Sequence, residues 1–117
     1  GIYHYLIESH ELDLLLEGDF RNEMSRAALG ERMFKQANVI VALSAVFQRT
    51  QRRYRERTQR YVFFEAGHIA QNTYLLATSM KIGACAIGAF YDDEFNRLLG
   101  LDGKNESVLY LLAVGKI

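Results

Sequence analysis

The stretch Tyr61–Ile82, YVFFEAGHIAQNTYLLATSMKI, decides the architecture. Val62, Glu65, Ile69, Asn72, Leu76 and Ser79 trace one helical stripe, while Phe63, Phe64, Ala66, Ala70, Leu75 and Ala77 keep the other faces apolar. The spacing predicts a long helix. A helix apolar on most sides is one buried in a core or in an oligomer interface. Gly83 follows it as a natural left-handed C′ residue.

Working outward, the segment after the helix alternates short strands with turns. Ala84–Phe90 is expected to be a small-residue strand ending in a glycine-containing turn, and Asp92 or Asp93 to cap a short helix over Glu94–Leu99. Gly100 stops that helix, Asp102-Gly103 signals a turn, and Ser107–Val114 reads as a last apolar strand. Upstream, Val39–Phe47 is a continuous apolar run opened by β-branched residues, which predicts a buried strand. Asp19 is the expected N-cap of a helix carrying Phe20, Met24, Ala27 and Ala28, which Met33–Ala37 prolongs and Asn38 ends. Ile2–Ile7 alternates and is rich in tyrosine, as strands are. Glu11–Gly18 fits either a second hairpin strand or a short helix, because its leucines satisfy both periods. Strands interleaved with helices give an α/β or α+β class with a layered sheet.

The chain has 117 residues, room for one domain and one real core. A formal net charge of zero argues against bulk attraction to nucleic acid or membrane. The single cysteine, Cys85, forms no internal disulfide and fits a reducing, cytoplasmic setting. No apolar run reaches the roughly 20 residues of a membrane span, and the opening Gly1-Ile2-Tyr3-His4-Tyr5 lacks the regions of a signal peptide. That opening already reads as a strand and has no initiator Met, so a fragment, a processed product or one piece of a split protein is expected.

Candidate chemistry is sparse. Arg49, Arg52, Arg53, Arg55, Arg57 and Arg60 lie within a dozen residues against Glu56 alone, with Tyr54 and Tyr61 interleaved. This composition suits a solvated face, a nucleic-acid surface, or an anionic cofactor or substrate beside one or two arginines; the acidic N-terminal third weighs against nucleic acid. His4, His10 and His68 are scattered without metal-ligand spacing, so no metal site is expected. His68 reads as a hydrogen-bonded structural histidine, and Cys85, between alanines, as a small core residue. Gly83 and Gly88 bracket a short strand, where they serve either as helix stop and turn or as points of close backbone approach to a flat ligand.

Several stretches, taken in order, resemble the nitroreductase superfamily. Glu65-Ala66-Gly67-His68-Ile69-Ala70-Gln71-Asn72, running into Lys81-Ile82-Gly83-Ala84-Cys85, is similar to its central acid-x-Gly-x-x-x-Gln-Asn helix. Ala86-Ile87-Gly88-Ala89-Phe90 is similar to its Pro-Ile/Val-Gly-Gly-Phe turn, and Asn96–Asp102 and Leu109–Lys116 to its usual ending. Gly1-Ile2-Tyr3-His4-Tyr5 resembles the Gly-Leu-Tyr-His-Tyr strand of SagB-type dehydrogenases. The likeness covers nearly the whole chain.

The resemblance implies a single partial α+β domain over residues 1–117: a nitroreductase-like layered sheet with a long central dimer-interface helix, Tyr61–Ile82, its N-terminal part missing. It implies an FMN-dependent oxidoreductase, active when complemented by the missing half as a separate polypeptide, on an organic or peptide substrate in peptide-modifying biosynthesis. FMN would sit at the interface of a homodimer, with Ile87, Gly88 and Ala89 presenting backbone to the isoalloxazine ring and Lys116 approaching the phosphate. Azoline-oxidising relatives carry a Lys-Tyr pair after the buried strand; here it reads Arg53-Tyr54. Arginine stays protonated and is a poor general base, whereas Tyr54 retains a proton to donate. The rival reading is a non-catalytic, flavin-less dimerisation module. Because the family's arginine-rich phosphate-binding segment precedes the region matched here, the chain alone is expected to take up little FMN; a titration showing tight, stoichiometric uptake would overturn this.

Overall fold

The computed structural model describes residues 1–116. Strands β1 (Ile2–Leu6) and β2 (Glu11–Leu16) form an antiparallel hairpin; helices α1 (Arg21–Ala27) and α2 (Met33–Gln36) follow. Strand β3 (Val39–Val46) leads into α3 (Phe47–Tyr54), a 3₁₀ turn (Arg55–Arg57) and the long α4 (Thr58–Ser79). Strand β4 (Gly83–Ile87), α5 (Asp92–Leu99) and β5 (Glu106–Gly115) complete the chain. The main sheet is antiparallel in the order β3-β5-β4, so the fold is α+β with a long helix on a layered sheet.

Strand β5 is central because its sequence is apolar on both faces. Leu111 and Ala113 face α1, α2 and α5, packing with Ala27, Ala28, Phe34, Phe95 and Ile87; by alternation Leu112 faces the other side, where α4 lies. A register shift between Leu43 and Ser44 leaves Leu109 as an extra residue, and this bulge returns Val108 to the face of Leu111. Phe95 carries the core further, with Phe34 at 5.8 Å and Phe90 at 5.3 Å between ring centroids. Beside it the buried Asn96 accepts the Val108 N–H at 2.9 Å and donates to Ser107 Oγ at 3.0 Å, so the start of β5 is tied to α5.

Local chemistry moves several boundaries. Glu11–Leu16 is a strand: Tyr3 and Tyr5 lie opposite Leu14 and Leu12, which puts the alternating side chains in register. Asp19 does not cap α1. Phe20 holds the cap position, and the Asp19 carboxylate instead takes hydrogen bonds from the Arg21 side chain and N–H, which lower its pKa to about 2. Met33–Ala37 does not prolong that helix, because Leu29 and Gly30 turn left-handed at φ 57° and 82°. Phe47 opens α3 rather than closing β3, and β3 is an edge strand with no fully buried residue. Helix α4 starts at Thr58, whose hydroxyl donates to the Arg55 carbonyl, and ends at Ser79.

The stop of α4 is Lys81 rather than Gly83. Lys81 takes the left-handed C′ position at φ 58°, its N–H reaching the Thr78 carbonyl while the Ile82 N–H reaches Ala77. Gly83 is thereby released to open β4, which ends at Ile87, short of Phe90. The Tyr91 N–H donates to the Ala27 carbonyl, so Tyr91 takes the cap position of α5 and Asp92 and Asp93 fall inside its first turn, where they complement the helix dipole. Gly100 ends α5 at φ 72°, and Gly103 turns at φ 71°. Cys85 is exposed, not core, because β4 is the other edge strand.

The helix is also less enclosed than its composition suggests. Thr58, Val62, Ala66, Ala70 and Ala77 are buried; Glu65, Ile69, Asn72, Leu76 and Ser79 of the expected stripe are exposed. Small residues bring α4 close to the sheet and leave Phe63, Phe64, Leu75 and Leu76 more than half exposed on its outer faces.

Asp102 organises the approach to β5. Its carboxylate accepts N–H bonds from Lys104, Asn105 and Glu106 at 2.8–3.1 Å and the Asn105 amide at 2.7 Å. These bonds, led by the Glu106 and Lys104 N–H groups, lower its pKa from 3.8 to about 2. A depressed carboxylate contributes stability above its unfolded pKa and loses it as pH falls through the folded one. The stability advantage of the wild type over Asp102→Asn should therefore be constant above pH 3.8 and fade between 3.8 and about 2, as read from thermal midpoints across that range.

Candidate functional site

Strand β4 consists of Gly83-Ala84-Cys85-Ala86-Ile87, residues that leave little side-chain bulk over its edge. A side chain meets its outer backbone at Ala86, whose N–H the Tyr74 hydroxyl of α4 accepts at 2.6 Å. Beyond Ile87 the chain leaves the sheet. A Cβ on Gly88 would meet nothing closer than the Tyr110 ring at 3.8 Å, so packing within the chain does not require glycine there. Gly88 and Ala89 are exposed, and among the described residues their N–H groups meet no protein acceptor. The turn is thus a strip of exposed backbone whose donors meet no protein acceptor among the described residues.

Lys116 lies at the other end of the sheet. Ile87 pairs with Leu111 and Gly83 with Gly115, so Lys116 is five residues along β5 from the Ile87 position, about 17 Å of strand. Its N–H donates to Asn38 Oδ1 at 3.0 Å, and the Asn38 N–H donates to the Val114 carbonyl at 3.0 Å. Asn38 therefore fixes the direction in which the chain leaves β5. A Cβ on Gly115 would lie 2.8 Å from Asn38 Oδ1, so this closure requires glycine.

Arg53 and Tyr54 form a third group, on the last turn of α3. The Arg53 guanidinium lies 5.5 Å from the Tyr54 ring centroid, and Tyr54 meets Tyr61 edge-on at 4.7 Å, with Phe64 6.4 Å beyond. Both residues are exposed. The Tyr54 hydroxyl has no protein partner among the described residues, so it is free to donate a proton or a hydrogen bond. Neither residue touches the Ile87–Ala89 turn through a hydrogen bond or ring contact among the described residues.

The six arginines of the run are all exposed, and the one ion pair among the described residues, Asp19–Arg21, lies elsewhere. His68 is exposed, and His10 pairs with the Tyr5 hydroxyl at 2.7 Å. No group of three metal-ligating side chains occurs among the described residues, and no helix there is long and apolar enough to cross a membrane. Two open hollows of about 280 and 260 Å³ are lined by Leu16, Glu23, Arg26, Glu94, Arg97 and Leu98, and by Phe47, Gln51, Arg55, Glu56, Thr58 and Gln59. Neither includes Ile87, Gly88, Ala89 or Lys116. Sequence reading gave Tyr74 and Tyr110 no role and Asn38 only that of a helix end, because each acts on a residue distant in the chain.

Comparison with known proteins gives this arrangement a family. The model of the Nitroreductase family matches residues 3–116. MJ1384 of Methanocaldococcus jannaschii, named as a nitroreductase, is 38% identical over 116 residues, covering 99% of this chain and 57% of that protein. The trifolitoxin operon protein TfxC of Rhizobium leguminosarum bv. trifolii is 27% identical over 98% of this chain and 32% of that protein. The chain therefore spans little more than half of one relative and a third of the other. A solved protein of Anabaena variabilis, also named as a nitroreductase, superposes at a TM-score of 0.89 with 29% identity, over 97% of this chain and 23% of that one. The NADPH:FMN oxidoreductase of Vibrio harveyi, solved with NAD+, gives 0.70 and 25%, over 82% and 45% of the two chains. A chain of the Escherichia coli microcin synthetase McbBCD complex, solved with truncated pro-MccB17 bound, gives 0.87 and 20%, over 98% and 44%.

Proposed function

The chain belongs to the nitroreductase family, and on that premise we propose that it forms the C-terminal part of an FMN-dependent oxidoreductase of SagB type, acting as a homodimer on an organic or peptide substrate. The observation that carries this reading is the Ile87–Ala89 turn: two exposed backbone donors without protein acceptors among the described residues, one of them a glycine that packing does not require. Such a strip suits the acceptor-rich edge of a flat heteroaromatic ring. Lys116, about 17 Å along the sheet, suits the phosphate of the same elongated ligand. The residues present therefore fit FMN in kind, and the two hollows described above lie elsewhere on the chain. A site completed by a second surface accounts for the exposure of Gly88 and Ala89.

When bound, flavin supplies two-electron hydride chemistry. Gly88 and Ala89 would orient the ring through their N–H groups, and Lys116 would hold the phosphate by charge. Arg53 keeps a fixed positive charge and serves to bind rather than to accept a proton. Tyr54 would deliver a proton to, or orient, the substrate. The outer face of α4 would form the dimer contact: Phe63, Phe64, Leu75 and Leu76 are exposed, and a Cβ on Gly67 would meet nothing within 4 Å. A mid-helix glycine costs about 1 kcal/mol relative to alanine, and close approach of another backbone explains its use. The relatives support the finer reading by what their names state: an FMN oxidoreductase, a trifolitoxin operon protein and a microcin synthetase complex.

The exposed apolar face of α4 also favours a second reading, a flavin-less dimerisation module. Co-expression with the N-terminal half of the domain separates the two. The enzyme reading expects a yellow complex with flavin absorbance, whereas a colourless stable dimer would sink it. In the yellow complex, Gly88→Val should leave the fold intact, since a Cβ there would meet nothing closer than the Tyr110 ring at 3.8 Å, yet abolish flavin uptake; retained stoichiometric flavin would remove the turn from the site. Tyr54→Phe should keep the flavin and lower turnover by roughly 100-fold or more, the scale of a lost proton donor; unchanged turnover would make Tyr54 a bystander.

A further inference from the structure

The hairpin and the joint between α3 and α4 carry opposite charge and make no extensive contact with each other among the described residues. Residues 1–20 hold five carboxylates and no Lys or Arg; residues 48–60 hold six arginines against Glu56. Each segment is thus five charges from neutral, with opposite sign, and all of these side chains are exposed. Apart from Asp19, which pairs with Arg21, none of them has an ion-pair partner among the described residues.

Both segments are physically incomplete. A two-stranded hairpin is marginal by itself in water, and in this one only Ile2 is buried. Its register sorts the side chains: Tyr3, Tyr5, Leu12 and Leu14 share one exposed apolar face, while Glu11 and Asp13 lie on the other with His4. In the joint, Arg49, Arg52 and Arg53 share one stripe of α3 at spacings of three and four, so like charges are neighbours. Arg57 caps α4 and Arg60 lies in its first turn, where the helix dipole disfavours cations and no acid offsets them. Tyr61 and Phe64 run beside these arginines as a half-exposed and an exposed ring. Each segment therefore combines unpaired charge of one sign with uncovered apolar surface, and each supplies what the other lacks.

We propose that in the homodimer the acidic hairpin of one protomer docks on the arginine-rich α3–α4 joint of its partner, and reciprocally, so that two such contacts flank the contact between the α4 helices. A two-fold axis makes the pair self-complementary without any further surface. The inference rests on the dimer reading above and adds the segments that select the partner and its orientation.

The test is charge reversal in trans, read by sedimentation equilibrium with circular dichroism as the folding control. One variant carries Glu8→Lys, Glu11→Lys, Asp13→Lys and Glu17→Lys; the other carries Arg49→Glu, Arg52→Glu, Arg57→Glu and Arg60→Glu. Each alone should weaken the dimer by at least about tenfold, because like charges then face each other twice. Mixed in equal amounts, the two should regain the wild-type association: reversed hairpin meets reversed joint, and native hairpin meets native joint. Wild-type association should also weaken as salt rises, which decides the matter even if a variant misfolds. A salt-independent wild-type dimer, or reversed variants that dimerise as the wild type does, would overturn the docking and leave the α4 contact standing. Failure of mixing, with rescue only when both reversals sit in one chain, would mean that the contact is made within the chain and would overturn it as well. A wild-type chain that is monomeric at every concentration would overturn both the docking and the dimer reading.

Discussion

Strand β5 pairs on both sides at once, and the rest of the chain is arranged by that. A strand hydrogen-bonded to β3 and β4 has no free edge, and its side chains must be covered on both faces. Val108, Leu111 and Ala113 draw α1, α2 and α5 to one face, and Leu112 turns to the face of α4. The extra residue at Leu109 keeps Val108 in the first set despite the change of register. Asp102 and Asn96 hold the chain where it enters β5, and Asn38 holds it where it leaves. The candidate ligand-binding backbone at Gly88 and the cation at Lys116 are both placed by pairing with, or extension of, this one strand.

The same arrangement explains what is left uncovered. Helix α4 meets the sheet through alanines, which allow a close approach and leave its phenylalanines and leucines facing out. Strand β3, as an edge, has no buried residue, and the hairpin exposes both faces. Large apolar exposure of this kind marks interaction surfaces. It occurs on the outer faces of the flanking elements, while Val108, Leu111, Leu112 and Ala113 of β5 itself are buried. The division between a finished core and unfinished flanks fits a chain spanning only part of its relatives' length.

Much of the fold was legible because it depends on local rules. The long helix, the Asp102-Gly103 turn, the Gly100 stop and the apolar last strand each follow from side-chain period or from glycine's freedom at positive φ. Where local rules were balanced, tertiary contacts decided. The leucines of Glu11–Leu16 satisfied helix and strand alike until Tyr3 and Tyr5 lay opposite them. The Asp19 carboxylate was a cap by position but found a stronger partner in Arg21. Lys81 displaced Gly83 as the helix stop because β4 had to begin at Gly83 to pair with Gly115.

For the site, the sequence by itself determined the family pattern, the small residues of β4, the Ile87-Gly88-Ala89 turn and the Arg53-Tyr54 pair, since these are runs of neighbouring residues. Only the tertiary structure decided that Lys116 lies a sheet's length from that turn, that Asn38 directs it, and that Tyr74 covers the edge of β4. It also decided that the apolar faces of α4 point outward. A hydrophobic stripe states that a surface will be covered; which surface covers it depends on elements that come together from distant parts of the chain.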